Sequence, residues 1–433
     1  MADRINGVGK YQGRGVKERF CIPNVAHGSG TKLQSLKRDM EMGHRVCSTH
    51  ALLQRFDAEV IELAKAKHYS LIIDEAVNLF QVIAAGSKTS RGKDFDDQDE
   101  GFLTLERSIS VKDFAWLEKR ELIAVDRTDY NQIVQGPVDV WPDRYRDVEA
   151  MVQTGALSAT TEDLTAKDCF IVWSFPILVL DAFDNITILT YRFRNSLLQG
   201  YLQFHGRQYI HKAVVRDPAG NYLVDFDPSI EKGPQYRDKI RICQDFDLNA
   251  IGTKVKGTEN NPLSATWYRN HKKDFPGLKS NLRKYYRRTA GEDKRVMWTA
   301  PKSAEKHLGP KGYIQRADGT TTFVHSTCSA TENYQDSLFL AYVLDKYIHP
   351  GIKRFLGMRN IHIDESQYAL SEMLQWIFRS AIRKGETINL YVPSRRMRNL
   401  LTDWLCLDRQ VELPMVIPEK AKKATWTEPR PKL

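Results

Sequence analysis

This sequence predicts an α/β protein, and three observations carry that reading. Near the C-terminus a helical run, a short apolar strand and a second helix follow one another without a long break. Near the N-terminus an apolar strand, Tyr69 to Ile73, runs into two adjacent carboxylates, Asp74 and Glu75. Between the two, short β-branched and aromatic runs alternate with amphipathic helical stretches.

The elements can be taken in order. Residues 1–17 are rich in glycine and charge and read as irregular. Lys32–Met40 and Ala51–Ala66 have helical spacing, with Arg45–Ser48 as a strand between them, and Leu71–Ile73 is expected to be a buried strand. Residues 86–101, polar and rich in aspartate, read as an exposed loop. Helices are expected near Val111–Lys119 and Asp147–Val152, and strands at Phe170–Pro176 and Asn185–Tyr191 around a helical segment. From Gly200 to Ile251 the pattern is one of short strands, with a turn at Asp217-Pro218-Ala219-Gly220-Asn221. Val296–Thr299 reads as a strand and Ser303–Leu308 as the start of a helix.

The last third is the most informative. In Gln375-Trp376-Ile377-Phe378-Arg379-Ser380-Ala381-Ile382-Arg383, the residues Gln375, Arg379 and Arg383 recur every four positions and would share one face of a helix. An amide and two guanidinium groups in a row suit the oxygens of a phosphate chain. Lys384-Gly385 is a helix stop, Ile388–Val392 a strand, and Pro393-Ser394 opens a helix running through Trp404. Asp74 and Glu75 stand at the C-terminal tip of a strand, where open α/β sheets bind ligands. Such a pair can hold magnesium and orient a water for phosphoryl transfer, and it also occurs as an ordinary solvated strand end.

Composition narrows the class. The 433 residues allow two or three domains, and 42% hydrophobic with 27% charged residues is ordinary for a soluble globular protein. No run is long and apolar enough to span a membrane, and the first residues lack a signal-peptide core, so a cytoplasmic location without membrane partners is expected. Six cysteines without C-x-x-C spacing indicate neither a zinc site nor a disulfide frame. Cys47 and His50 have ligand-like spacing but no second pair.

Charge is concentrated. Between Arg269 and Arg295 stand ten Lys/Arg and three acids, a net of +7 in a chain of net +10, interleaved with Trp267, Tyr268, Tyr285 and Tyr286. Lys272, Lys273, Arg283, Lys284, Arg287 and Arg288 would neutralise phosphates while the rings stack on bases, which favours a single strand of DNA or RNA. The competing reading is an amphipathic helix whose rings face the core. The tail from Glu419 is basic, contains proline and reads as disordered.

Taken together, the motifs resemble the DEAD/DEAH-box-like superfamily 2 helicases of phages and mobile elements of Gram-positive bacteria. The resemblance runs from about Phe20 to Leu405. It rests on Lys32-Leu33, Ser48-Thr49-His50-Ala51-Leu52, Leu71 to Glu75, Ile188 to Phe193, Met297-Trp298-Thr299 and Gly312-Tyr313. It continues through Ala330-Thr331-Glu332-Asn333-Tyr334, Tyr368 to Glu372, Gln375 to Arg383 and Tyr391 to Arg398. It implies two RecA-like domains, the first N-terminally incomplete, with ATP and Mg2+ between them and nucleic acid lying across both. Residues 1–198 would form the first domain, 199–295 a connecting segment with the basic patch, 296–412 the second domain and 413–433 a basic tail. Asp74 would hold magnesium and Glu75 orient water. Thr190 and Tyr191 would couple hydrolysis to strand movement, and Ser48, Thr49, His50, Ala330 and Thr331 would meet the nucleic-acid backbone. Gln375, Arg379 and Arg383 would reach the triphosphate.

Three departures qualify that implication. The second arginine stands eight residues after the glutamine where the family more often has seven, and Ser329 replaces an expected arginine. A phosphate-cradling P-loop is missing: Gly7-Val8-Gly9-Lys10-Tyr11 lacks its first glycine, the hydroxyl after the lysine and a preceding strand. The expectation is a nucleic-acid-dependent ATPase or helicase core serving phage or mobile-element DNA replication, in company with other replication proteins and with impaired ATP binding. A non-catalytic nucleic-acid-binding remnant of a helicase is the alternative. A metal-dependent nuclease or packaging motor, and a purely structural protein, are further readings.

Overall fold

Local capping rules decide where the first helices begin and end. In the computed structural model, which describes residues 20–24, 30–75, 77–86, 109–218, 220–253, 261–326 and 333–406, the chain divides into two compact units. The first contains described residues up to 86, those from 109 to 190, and 354–360. The second contains 191–353 and those from 361 onward.

In the first unit Thr31 opens helix α1 (Lys32–Glu41) with a capping box: its hydroxyl accepts from the Gln34 N–H, and the Gln34 side chain accepts from the Thr31 N–H. The single helix expected over Ala51–Ala66 is two, α2 (His50–Leu53) and α3 (Ala58–Ala66). Asp57 adopts extended backbone and its carboxylate accepts the Val60 N–H, which starts a new helix. Leu36, Met40, Leu52, Val60 and Ala64 form the local core. The strand expected at Arg45–Ser48 is reduced to one bridge between Cys21 and Val46.

Strands β1 (Ser70–Asp74), β2 (Phe80–Ala85), β3 (Ile123–Asp126), β4 (Gln132–Gln135), β5 (Leu157–Ala159), β6 (Phe170–Ser174) and β7 (Asn185–Leu189) complete the unit, with helices α4 (Val111–Lys119), α5 (Arg146–Gln153) and α6 (Ile177–Leu180). Strands β2 to β6 form an antiparallel sheet in the order β2-β6-β5-β4-β3. The expectation of a RecA-like first domain, with a parallel sheet, is corrected here. The β3–β4 connection is a five-residue turn in which the Asp126 carboxylate accepts the Thr128 N–H. So short a link reverses the strand, whereas parallel neighbours need a crossover of a dozen or more residues.

Among the described strands of this unit, β1 and β7 pair in parallel, in register from Ser70 opposite Asn185 to Asp74 opposite Leu189. The expectation that β1 is buried also needs correction. Ile73 is buried, but its neighbour Ile72 is 69% exposed.

The second unit opens with α7 (Leu197–Phe204) and a hairpin, β8 (Lys212–Asp217) with β9 (Gly220–Asp225), turning where the Pro218–Gly220 signal predicts. Its centre is a four-stranded parallel sheet in the order β10-β13-β12-β11, from β10 (Ile240–Ile242), β11 (Val296–Thr299), β12 (Phe339–Tyr342) and β13 (Ile388–Tyr391). Helices α8 (Ala265–Asn270), α9 (Phe275–Thr289), α10 (Glu305–Leu308), α12 (Glu365–Ile377) and α13 (Arg395–Trp404) accompany it, while α11 (Pro350–Gly357) is divided, with residues up to Lys353 in this unit and the rest in the first.

Because side chains alternate along a strand, each strand feeds two cores. Met297, Leu340, Tyr342, Ile388 and Leu390 meet Met373, Trp376 and Ile377 of α12 and Met397 and Leu401 of α13. Val296, Trp298, Ala341 and Tyr391 meet Trp267 and Tyr268 of α8 and Leu278, Leu282, Tyr285 and Tyr286 of α9.

Among the described glycines, Gly252 leaves the least room for a side chain. A Cβ built there would fall 1.9 Å from the Pro393 carbonyl oxygen, which is backbone and cannot swing away. Gly252→Ala should therefore destabilise the second unit by about 1–3 kcal/mol or more, as overpacking does. Urea unfolding followed by tryptophan fluorescence measures it. An unchanged midpoint would show that the approach is looser than described.

Candidate functional site

The carboxyl ends of the parallel strands carry the most developed polar cluster in the second unit. Beyond β12 the chain continues through Val343 and Leu344 to Asp345, Lys346 and Tyr347. Beyond β11 come Ala300 and Pro301, and beyond β13 come Val392, Pro393 and Ser394. The Asp345 side chain is 4% exposed. Arg396, in the first turn of α13, lies 2.8 Å from its Oδ1 and also donates to the carbonyls of Lys346 and Glu365. The same guanidinium covers the Tyr347 ring at 4.3 Å, and the Tyr347 hydroxyl donates to Asp345 Oδ2. Lys346, itself buried, lies 3.7 Å from Glu372 of α12.

Burial pushes the Asp345 carboxyl above the usual range, and Arg396 and the hydroxyls of Tyr347 and Ser394 oppose that shift. Burial also pushes the Tyr347 phenol up to about 12. Asp345, Lys346, Tyr347, His325 and Ser326 line a pocket of about 30 Å3. That is room for a water or a small ion and too little for a nucleotide. The sequence reading passed over this cluster. Its only signal was an Asp-Lys-Tyr run after an apolar strand, with no spacing rule to pair it with Arg396 fifty-one residues later.

The arginine motif is rearranged relative to expectation. Helix α12 ends at Ile377, so Gln375 is helical, Arg379 lies in the turn beyond, and Arg383 sits in a 3-10 turn, Ala381–Lys384. Ser380 causes the break: its hydroxyl donates to the Ile377 carbonyl and accepts from the Ile382 N–H, a stop and a new start in one residue. The shared helical face is corrected accordingly. Gln375 and Arg379 are half-buried and Arg383 is exposed. Gly385, at φ 80°, closes the turn in the left-handed conformation the sequence implied.

Tyr191 comes to the same place from far away in sequence. Its ring lies 6.2 Å from that of Phe378, one residue before Arg379, and the adjoining Arg192 is buried, donating to the Glu231 carbonyl and the Gln367 side chain.

In the first unit Asp74 ends β1 and is exposed. Glu75 follows at φ 68°, an uncommon conformation for a residue with a Cβ, and its N–H donates to the Leu189 carbonyl at 2.8 Å. Asp74 and Glu75 are thus held beside Leu189 and the adjoining Thr190. A magnesium ion serving phosphates keeps most of its waters and takes one or two carboxylates, and an exposed Asp74 fits that modest requirement. No phosphate-cradling loop is present among the described residues. Gly7 to Tyr11, Ala330 and Thr331 lie outside them.

Thr49 is the N-cap of α2, its hydroxyl accepting the Leu52 N–H; Ser48 is exposed and His50 half-buried. Thr49 therefore has a structural task that accounts for its place.

The basic segment divides cleanly by face. Trp267, Tyr268, Tyr285 and Tyr286 are all buried against the sheet, so the expectation that they stack on bases is withdrawn. Lys272, Lys273, Arg283, Lys284, Arg287 and Arg288 are exposed. Arg288 pairs with Asp245 at 2.5 Å, while Arg283, Lys284 and Arg287 make no ion pair among the described residues. Like charges at Arg283/Arg287 and Lys284/Arg288 are four apart on α9, a spacing that costs a helix a few tenths of a kcal/mol per pair.

The polar cluster yields a stability test. Arg396→Met leaves Asp345 buried without its cation and should cost about 2–4 kcal/mol, a little under the range for a fully buried pair because Arg396 is 25% exposed. With its carboxyl raised further above the unfolded value, the variant should lose stability as pH rises through and above the carboxylate range. Adding Asp345→Asn should recover most of the loss and flatten that slope. Urea midpoints for the four proteins of the cycle, measured from acid to neutral pH, check this. Additive single effects would mean that the two groups are not coupled.

Comparison with known proteins follows the same division of the chain. No helix among the described residues is long and apolar enough to cross a membrane, and no solved structure matches the chain. Residues 234–405 match the family model described as the YonV C-terminal Rossmann-like domain, a span that takes in all four strands of the parallel sheet and helix α13. Over 399 residues, 89% of this chain and 86% of the relative, the sequence is 29% identical to the SPbeta prophage-derived uncharacterized protein YonV of Bacillus subtilis (strain 168). The chain is thus similar along most of its length to a prophage-derived protein, in agreement with the expected phage association, and its C-terminal part is similar to a Rossmann-like domain.

Proposed function

We propose that this protein binds nucleic acid through the outward face of α9 and the Lys272-Lys273 turn before it. The observation that supports this is the exposed row of Lys272, Lys273, Arg283, Lys284, Arg287 and Arg288, of which only Arg288 has a carboxylate partner among the described residues. A helix that needed only solubility would mix the two signs. This one concentrates a single sign, which suits a polyanion. With the rings buried, the contact is electrostatic and is made to backbone phosphates rather than to base faces. It carries no preference for a single strand.

Replacing Arg283, Lys284 and Arg287 together by alanine should reduce affinity for a short DNA or RNA at least about tenfold at low salt, and should make the salt slope shallower by about 2–3 in log–log terms. Fluorescence anisotropy across a salt series measures both. An unchanged slope would remove the ridge from the interface.

A second reading, ATP hydrolysis, draws on the placement of Asp74 and Glu75 beside Leu189 and Thr190. These carboxylates could serve a magnesium–triphosphate, but the described residues offer no cradle to bind its phosphates first. The chain alone is therefore expected to bind ATP weakly and to hydrolyse little of it. Glu75→Gln should leave nucleic-acid affinity unchanged. Nucleotide titration by fluorescence and phosphate release with added oligonucleotide provide the check. Micromolar ATP binding, or turnover lost in Glu75→Gln, would establish this chain as a self-sufficient ATPase.

A further inference from the structure

Three chemically unlike side chains to which no role has been given converge in the first unit. Cys21 stands on the bridge to Val46, Asp39 lies near the end of α1, and His44 follows the turn that ends that helix. Cys21 Sγ is 3.7 Å from His44 Nδ1, and Asp39 Oδ1 is 3.5 Å from the same nitrogen. All three groups offer a ligand atom within 4.8 Å of the others.

The shared nitrogen decides between two readings. In a nucleophile–base–acid relay the histidine bridges its partners through opposite ring nitrogens, so that one holds the proton the other lacks. Here both partners approach Nδ1, and the three atoms form a triangle. Zinc holds thiolate sulfur at about 2.3 Å and histidine nitrogen or carboxylate oxygen at about 2.0–2.2 Å, so tetrahedral ligands lie about 3.3–3.6 Å apart. The two separations to Nδ1, 3.7 and 3.5 Å, are within a few tenths of an ångström of that, and the Cys21–Asp39 edge is no longer than 4.8 Å.

The backbone around the cluster is fixed on both sides. The Tyr69 hydroxyl donates to the His44 carbonyl at 2.7 Å. The Cys21 N–H donates to the Arg45 carbonyl and the Cys47 N–H to the Cys21 carbonyl. The ligands are therefore brought together by the fold before any ion arrives.

We propose that Cys21, Asp39 and His44 bind a zinc ion, with water in the fourth position. Sulfur, imidazole and carboxylate together are a borderline donor set that favours zinc over magnesium or calcium. The ion would tie the segment at Cys21 to the end of α1. Cys47, whose spacing to His50 was the ligand-like feature of the sequence, is not a member of the cluster.

The test uses the full chain, purified reduced and free of chelator, with elemental analysis and titration by Zn2+ and Co2+. The expected result is one zinc per chain, and a cobalt form with a thiolate charge-transfer band and the intense visible bands of tetrahedral geometry. Cys21→Ser should abolish the charge-transfer band. His44→Ala should weaken affinity more than about 100-fold, beyond what loss of an outer-shell partner costs. Asp39→Asn, the mildest change, should weaken binding while circular dichroism stays unchanged, and Cys47→Ser should bind as the parent does. Absence of stoichiometric metal in the parent, an octahedral cobalt spectrum, or loss of the band in Cys47→Ser but not in Cys21→Ser would each overturn the proposal. If Cys21→Ser fails to fold, the parent spectrum and Asp39→Asn still decide it.

Discussion

Two-sided burial of the β10-β13-β12-β11 sheet governs the second unit. A parallel sheet is stable in water only when both faces are covered, and alternation along each strand sends neighbouring residues to opposite cores. On one face α12 and α13 supply Trp376, Met397 and Leu401; on the other, α8 and α9 supply Trp267, Tyr268, Tyr285 and Tyr286. Once those rings are committed to the sheet, the cations between them have only solvent to face. The exposed basic row is thus a consequence of covering the sheet. What covering does not require is that the outward positions be of one sign, and the proposed function rests on that feature.

The same constraint shapes the arginine motif. Trp376, Ile377, Ala381 and Ile382 are all buried, and the helix stops between the two pairs because Ser380 bonds both ways along the chain. Gln375, Arg379 and Arg383 consequently point from three different backbone conformations. Tyr191, with its ring near Phe378, adds a residue from a remote segment to that neighbourhood. In the first unit, Glu75 in its left-handed conformation and Asp74 beside it are held by the β1–β7 pairing.

Much of this was legible in the sequence where a signal is local. The α1 helix, the hairpin at Asp217–Asn221, β11, β13 and the Ser394 start of α13 follow from caps, turns and period. Of the antiparallel sheet, β6 was legible as the strand expected at Phe170–Pro176, but its partners were not. Ile123–Asp126 and Gln132–Gln135 are four residues each with mixed polarity, and Phe80–Ala85 follows the Asp-Glu pair too closely to stand out. Ser380 was unreadable for another reason: a serine inside a helical period is usually tolerated, and only its two bonds show that it breaks the helix. The Asp345–Arg396 pair and the Cys21–Asp39–His44 triangle join residues by tertiary contact alone, which no spacing rule reaches.

The proposed binding requires α9 to meet phosphates with its cations while its rings stay in the core. Lysine acetylation footprinting of the whole chain, with and without a saturating oligonucleotide, tests this most directly. Protection should concentrate at Lys272, Lys273 and Lys284, with tyrosine iodination of Tyr285 and Tyr286 negligible in both states. Equal labelling of those three lysines with and without nucleic acid, or tyrosines that are reactive when free and protected when bound, would contradict it.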